Sequence, residues 1–275
     1  MSREDDEIQV LGEKTTSRKK IKKLWFLITI ILIILCSAGY LIWNKRILNN
    51  THLKNIPETQ IQVMHHPDSV HNCLIDITAD TINDVPLTIF KLTGAYAQLT
   101  IGLPDTTDQQ IVLALPAADV RKDKLNILGD FIINGKRLGS GKRKEGCVLI
   151  NQGALWLGLD QTDESCDYCN LHQASMFRQY PLVINGQVYS NKLKGKSLRR
   201  AIAKQKNNED IYIVTSNQRE SLHDFSEALA DHGFSNAIYL PGGDAFGFYH
   251  KNGQIHYIGS SMDYIYPNSS FIIFK

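Results

Sequence analysis

The chain has 275 residues, enough for one sizeable domain beside a membrane segment, and its 43% hydrophobic content is ordinary for a globular protein. A formal net charge of +2 excludes the basic excess of a nucleic-acid binder and gives no signal for an acidic partner. No Ser-His-Asp order, phosphate-binding Gly-Lys-Ser/Thr motif or dinucleotide fingerprint is present, which removes the commonest hydrolase and nucleotide-binding classes.

Residues 1–23 form a charged tail without apolar periodicity. Leu24 to Trp43 is apolar and uncharged for about 20 residues, the length a helix needs to cross a bilayer. Trp25, Tyr40 and Trp43 stand near its ends, where amphipathic rings prefer the interface. Arg18, Lys19, Lys20, Lys22 and Lys23 precede it and only Lys45 and Arg46 follow, which predicts a cytoplasmic N-terminus and an external domain. The competing reading is a cleaved signal peptide, but the run is long and Cys36-Ser-Ala38 is a poor cleavage site. Residues 44–66 read as a polar linker and 67–275 as the domain.

Within the domain, Val70 to Asp80, Val85 to Leu92 and Ala95 to Gly102 are strand-like, and Gln110 to Leu115 is a continuous apolar run typical of a central strand. Leu128 to Gly135 runs into a tight Asn-Gly turn. Cys147 to Ile150 and Ala154 to Leu159 flank Asn151-Gln-Gly153, Leu182 to Ile184 and Gln187 to Tyr189 flank Asn185-Gly186, and Asn252-Gly253 marks a further turn. Lys192 to Lys206 is dense in basic residues. Alone, Leu198 to Lys206 reads as a basic amphipathic helix at a membrane surface or on phosphates. Ser221 to Gly233 is a helix with both ends marked: Ser221 as N-cap, Asp224 in the first turn, Gly233 after the last turn, and Leu222, Phe225, Ala228 and Leu229 on one face. Asn236 to Leu240 is a strand that enters Pro241-Gly-Gly-Asp244, with a second strand-like run from Ala245 to Tyr249. The plain alternative for this stretch is a hairpin with a Gly-Gly turn. The expected class is α+β: a mixed, mostly antiparallel sheet with hairpins and one or a few helices, behind an N-terminal transmembrane helix.

Helix, loop, strand and glycine turn in this order resemble the phosphodiester glycosidase family, whose pattern is a strand Asn-Ala-Leu-x-Leu-Asp-Gly-Gly followed by a strand ending in an aromatic. Gln179-Tyr-Pro-Leu-Val-Ile-Asn-Gly186 resembles the family's Gly-Pro-Leu-Leu-Val-x-x-Gly segment. Leu198-Arg-Arg-Ala-Ile202 resembles its Pro-Arg-Thr-Ala-Ile segment. The likeness covers roughly residues 110 to 275, and it makes Arg199 to Lys204 a strand, paired through Asn207-Asn208 with Ile211 to Thr215, with Arg199 as the counterpart of the family arginine. The sequence also departs from the pattern. Pro241 replaces the family aspartate, Pro116-Ala-Ala-Asp-Val120 replaces an asparagine-bearing turn, and the family glutamine falls on Arg178 or, one residue on, Gln179.

The resemblance implies a hydrolase that cuts between a sugar anomeric carbon and a phosphodiester in a cell-envelope or exopolysaccharide glycan. The departures at Pro241 and Pro116 speak for the alternative, a catalytically inactive glycan-binding or envelope scaffold module of the same fold. Arg199 and Arg178 are the expected cations for phosphate, with Gln179, Gly242 and Gly243 beside the substrate. Asp244 is the expected proton-transfer group and His223 the alternative. No motif requires a metal or another cofactor. Cys73, Cys147, Cys166 and Cys169 lie outside the membrane on this topology, free or in disulfides. Cys166, Cys169 and His172 offer three zinc-type ligands where a structural site wants four.

Overall fold

In the computed structural model the described residues are 72–121, 126–140, 144–260, 265 and 269–275, with Ile28, Ile30, Ile31, Ile33, Ser37 and Gly39 as isolated helical positions. The basic tail, the linker and, apart from those six positions, the expected membrane segment 24–43 lie outside the described residues. Among the described residues no helix is long and apolar enough to cross a membrane. The chain divides into two compact units, Met1–Glu58 and Thr59–Lys275, and the second carries every strand named below.

Its first half runs β1 (Leu74–Ile82), β2 (Val85–Thr93), β3 (Ala97–Ile101), β4 (Leu113–Pro116), β5 (Phe131–Ile133), β6 (Lys136–Gly139), β7 (Gly146–Asn151), β8 (Ala154–Leu159) and helix α1 (Glu164–His172). The second half runs β9 (Ser175–Gln179), β10 (Pro181–Ile184), β11 (Gln187–Val188), β12 (Arg200–Gln205), β13 (Ile211–Ser216), helix α2 (Leu222–Asp231), β14 (Phe234–Leu240), β15 (Gly247–Lys251), β16 (Gln254–Ile258) and β17 (Ser270–Phe274). The expected α+β class holds. The single mixed sheet does not: the strands form three sheets, ordered β1-β2-β13-β12-β14-β10-β11, β16-β15-β4-β17-β3 and β6-β5-β9-β7-β8. Every pairing between named strands is antiparallel, and one isolated parallel bridge joins Leu128 and Ser140.

The hairpins follow from turn chemistry. Asn134-Gly135, Gln152-Gly153, Asn185-Gly186 and Asn252-Gly253 all hold positive φ at both central residues. That is the mirror-image turn whose twist matches paired strands, and Asn and Gly tolerate it best. The basic stretch resolves as a strand: Arg200–Ala203 pairs with Tyr212–Thr215. Helix α2 forms as expected. Ser221 Oγ accepts the Asp224 N–H at 3.0 Å, and Gly233 takes φ +100° just beyond the last turn. Helix α1 was not foreseen, because its buried residues, Ser165, Cys166 and Cys169, make no apolar stripe.

Alternation along the strands sorts the core into layers. The main cluster lies between the sheets and draws on all three, including Ile202, Ile213, Ile238, Leu240, Leu115, Ile272, Phe131, Val148 and Phe177. The opposite face of the seven-stranded sheet buries α2 through Leu222, Phe225, Ala228 and Leu229 against Ala201, Ala203, Val214 and Ala237. The third sheet covers its outer face with α1, packing Cys147, Cys166, Cys169 and Met176 together. These thiols carry no disulfide. Burial pushes the Cys147 thiol up to about 12 and also raises Cys166 and Cys169, so the Cys-x-x-Cys spacing here yields packed hydrophobes rather than reactive thiolates.

Phe177 and Arg178 are neighbours on β9 and face opposite ways. Phe177 enters the main core, whereas Arg178 points to the α1 side with no exposed surface. Its guanidinium pairs with Asp160 at 2.5 Å and Asp130 at 2.9 Å and donates to the Thr162 carbonyl at 2.7 Å. These acids flank β5 and β8, so one cation ties the middle of the sheet to segments on both sides. Removing it would leave the buried Asp160 carboxylate without a cation among the described residues and Asp130 with Arg137 alone. We expect Arg178→Met to cost about 3–5 kcal/mol in urea unfolding of the full chain; a loss under about 1 kcal/mol would show that this ion triad does not hold the sheet.

Candidate active site

Three chain segments end at one place, at the edge where the three sheets meet. Beyond β4, Pro116 to Val120 is pinned by β17: Ala117 N–H donates to the Ser270 carbonyl at 2.9 Å and Ala118 N–H to Ser270 Oγ at 3.0 Å. This holds Asp119 beside the end of β9. There the Lys144 ammonium, almost wholly buried, donates to Asp119 Oδ2 and, at 2.6 Å, to Gln179 Oε1. Gln179 Nε2 donates to the same Asp119 oxygen at 3.1 Å. Lys144 also sits 4.8 Å over the ring of Tyr180, a cation–π contact.

The second part of the site is built by β12, β14 and the glycine turn. Tyr239 lies edge-on to Tyr180 at 6.4 Å and joins the two parts. Its hydroxyl oxygen accepts the Gly242 N–H at 3.2 Å. Burial first, then the Asp119 carboxylate, raise the Tyr239 phenol above its ordinary range, while Arg199 and the Gly242 N–H oppose the shift. The phenol therefore keeps its proton at neutral pH. Arg199 is held by the carbonyls of Glu220 (3.0 Å) and Gly195 (2.8 Å), and its own N–H donates to Ser216 Oγ at 2.8 Å. Arg199 stays at the rim, 7% exposed.

Arg200, its neighbour, points the other way and is completely buried. It donates to the carbonyls of Gly243 (3.0 Å) and Ala245 (3.1 Å), which fixes the turn 241–245 from behind. Burial pulls the Arg200 guanidinium down to about 10, with Tyr239 and Asp244 opposing. It remains a cation at neutral pH, placed behind the site. Gly243 lies so close to the start of β12 that a Cβ there would fall 2.7 Å from the Leu198 carbonyl carbon and 2.8 Å from Arg199 N. Only glycine allows that approach. Its N–H donates to the Leu198 carbonyl at 3.0 Å.

The site thus gathers Gln179, Arg199, Gly242, Gly243 and Asp244 from the expected set. Both glycine amides are engaged within the protein, so the glycines shape the turn rather than cradle a phosphate. Asp244 is exposed at the tip of the turn. The turn is not a hairpin, because β14 belongs to the seven-stranded sheet and β15 pairs with β4 and β16 in the second. It is the crossover between those sheets. Arg178 and His223 stand apart. Arg178 is the α1-side ion-pair residue described above. His223 is exposed on α2 with Glu227 at 3.4 Å.

Sequence reasoning missed Lys144, Tyr180, Tyr239 and Arg200, and located Asp119 only within the turn that replaces the family's asparagine-bearing one. Tyr180 and Tyr239 lie inside segments that drew attention, but nothing in either pattern singles them out. Lys144 looks like any basic loop residue. For a metal, the described residues offer one close group, Asp130, Asp163 and Cys166, with ligand atoms within 4.8 Å of one another. Asp130 is already engaged by Arg137 and Arg178. Neither Cys169 nor His172 belongs to the group.

The phosphodiester glycosidase family model matches residues 110–265, more than half of the chain. The fold is similar to the catalytic domain of zebrafish N-acetylglucosamine-1-phosphodiester alpha-N-acetylglucosaminidase, auto-inhibited by its pro-peptide: TM-score 0.52, 16% identity, over 76% of this chain and 84% of that one. A hypothetical protein from Synechocystis gives TM-score 0.52 at 13% identity, over 73% of this chain and 61% of that one. No curated protein sequence matches the chain. The structural likenesses concern the fold, and the family match spans β4, the glycine turn and every site residue between them: the chain belongs to the phosphodiester glycosidase family.

Proposed function

We propose that the protein is a membrane-anchored, extracytoplasmic hydrolase that releases a sugar from a phosphodiester attached at its anomeric carbon. The carrying observation is the meeting, across Tyr239, of an Asp119–Lys144–Gln179 cluster with the Arg199 rim and the Gly242–Asp244 turn. Breaking the anomeric C–O bond leaves negative charge on the departing phosphate, which becomes a monoester. It also needs a proton there and a hydroxyl from water on the sugar. Arg199 is suited to meet the phosphate charge in bidentate fashion. The protonated Tyr239 phenol is a donor beside it. Two carboxylates belong to this arrangement, Asp119, which acts on the Tyr239 phenol, and Asp244, exposed on the glycine turn, and glycoside hydrolysis ordinarily divides acid and base or nucleophile duties between two such groups. In this reading Asp244 moves the proton and Asp119, anchored by Lys144, faces the developing positive charge on the sugar.

The assay is release of free sugar from a sugar-1-phosphodiester by the full chain. Asp244→Asn is expected to lower kcat by about two to four orders of magnitude, and Arg199→Ala to raise KM and lower kcat together. Activity that survives Asp244→Asn and disappears in Asp119→Asn would transfer the proton-transfer role to Asp119.

A second reading has its own observation. Pro116 and Pro241 stand where the family pattern carries an asparagine and an aspartate, and neither can replace a polar side chain. A glycan-binding module of the same fold would release no sugar from any phosphodiester, yet bind glycan through Arg199 and lose that binding in Arg199→Ala.

The anchor rests on the apolar run from Leu24 to Trp43 and the basic residues before it. Protease added to intact cells, or to spheroplasts where an outer barrier exists, is expected to digest the domain and leave the anchor protected. A domain that resists protease until lysis would refute this orientation.

A further inference from the structure

The strap that joins β11 to β12 is fixed at both ends and studded with cations between them. At its start, Asn191 Nδ2 donates to the Pro181 carbonyl at 2.6 Å. At its end, Ser197 and Glu220 exchange backbone hydrogen bonds of 3.1 and 2.9 Å. Between these points Lys192, Lys194 and Lys196 are all exposed. Arg219, also exposed, leans on the strap by donating to the Lys196 carbonyl at 3.5 Å. The acids facing it are Glu220 and Asp224, which lie 3.8 and 4.0 Å from Lys196. Among the described residues, Lys192 and Lys194 have no acidic partner.

The strap is continuous with the candidate site. Gly195 gives its carbonyl to Arg199, and Leu198 lies against Gly243. Walking back from Gly243, the chain presents Arg199, then Lys196, Lys194 and Lys192. A lone phosphodiester carries one negative charge, which Arg199 alone matches. Three further ammonium groups leading away from the turn match a ligand whose charge repeats. The strap's large exposed apolar residue is Leu193, too little to insert into lipid.

We propose that residues 192–196 form a subsite for a polyanionic glycan, a polymer of sugars joined by phosphodiesters, and that they favour such a polymer over a small sugar-1-phosphodiester. The specificity part rests on the hydrolase reading; the binding part does not. The test compares the full chain, kept soluble in neutral detergent, with its Lys192→Ser/Lys194→Ser/Lys196→Ser variant. The probes are a soluble sugar-phosphate polymer, a neutral glucan of similar length, and vesicles of anionic lipid.

Wild-type protein is expected to bind the polymer and not the glucan, with affinity that falls steeply as salt rises from about 0.05 to about 0.5 M. The variant is expected to lose about tenfold in affinity with a flatter salt dependence, because a local field of three charges is removed. Its ratio of kcat/KM on polymer to that on a small phosphodiester is expected to fall by a similar factor at an unchanged melting temperature. Equal polymer binding by the two proteins overturns the subsite. So does wild-type binding of anionic vesicles with no polymer binding, which would make the strap a membrane contact. Polymer binding lost in the variant, with no sugar released from any substrate by either protein, upholds the subsite and overturns the hydrolase reading instead.

Discussion

The arrangement depends on a buried cation that is bonded to no carboxylate among the described residues. Arg200 carries its charge into the space between the sheets and finds two carbonyls, those of Gly243 and Ala245. A buried guanidinium is tolerable only when such acceptors are fixed in place. Because the acceptors belong to the crossover from β14 to β15, the cation and the turn stabilise each other. That bond locks the seven-stranded sheet to the second sheet at the point where Asp244 is displayed. It also explains why the turn admits no side chain at Gly243: the chain is drawn against the first residues of β12.

Neighbouring pairs on strands decide which residues reach the site. Gln179 and Arg199 come to it. Arg178 and Arg200, one position away, are turned into the interior by the period of two. A linear pattern cannot separate such neighbours unless the register of the strand is known. Both members of each pair are polar, so hydrophobic alternation gave no clue. The one-residue ambiguity between Arg178 and Gln179 was of this kind, and the two side chains find their partners in different layers.

Much of the fold was legible where chemistry is local. The Asn-Gly turns, the Ser221 cap and the stripe from Leu222 to Leu229 each carry their instruction within a few residues. Helix α1 carries none, since its burial rests on two cysteines and a serine and its existence depends on the sheet beneath it. The division into three sheets was equally hidden, because pairing of β2 with β13 or β3 with β17 is a relation between distant segments. In the site, the glycine turn and Arg199 were readable from an ordered motif. Lys144 and Tyr239 matter only through what the fold sets beside them.

The last strand has a consequence for how the molecule is made. Ser270–Phe274 lies inside its sheet, with Ala97–Ile101 on one side and Leu113–Pro116 on the other. Two segments from early in the chain therefore meet across this strand, and Ala97–Ile101 pairs with it alone among the described residues. Contacts of such high sequence separation are slow to close, since the loop entropy is lost before the pairing is gained. Ala117 and Ala118 are hung from Ser270 in the same way across 152 residues of chain, so the segment that carries Asp119 is fixed only once Ser270 is in place. Until Ser270–Phe274 docks, Ala97–Ile101 has no partner strand within its own sheet among the described residues, whereas Leu113–Pro116 can already lie against Gly247–Lys251.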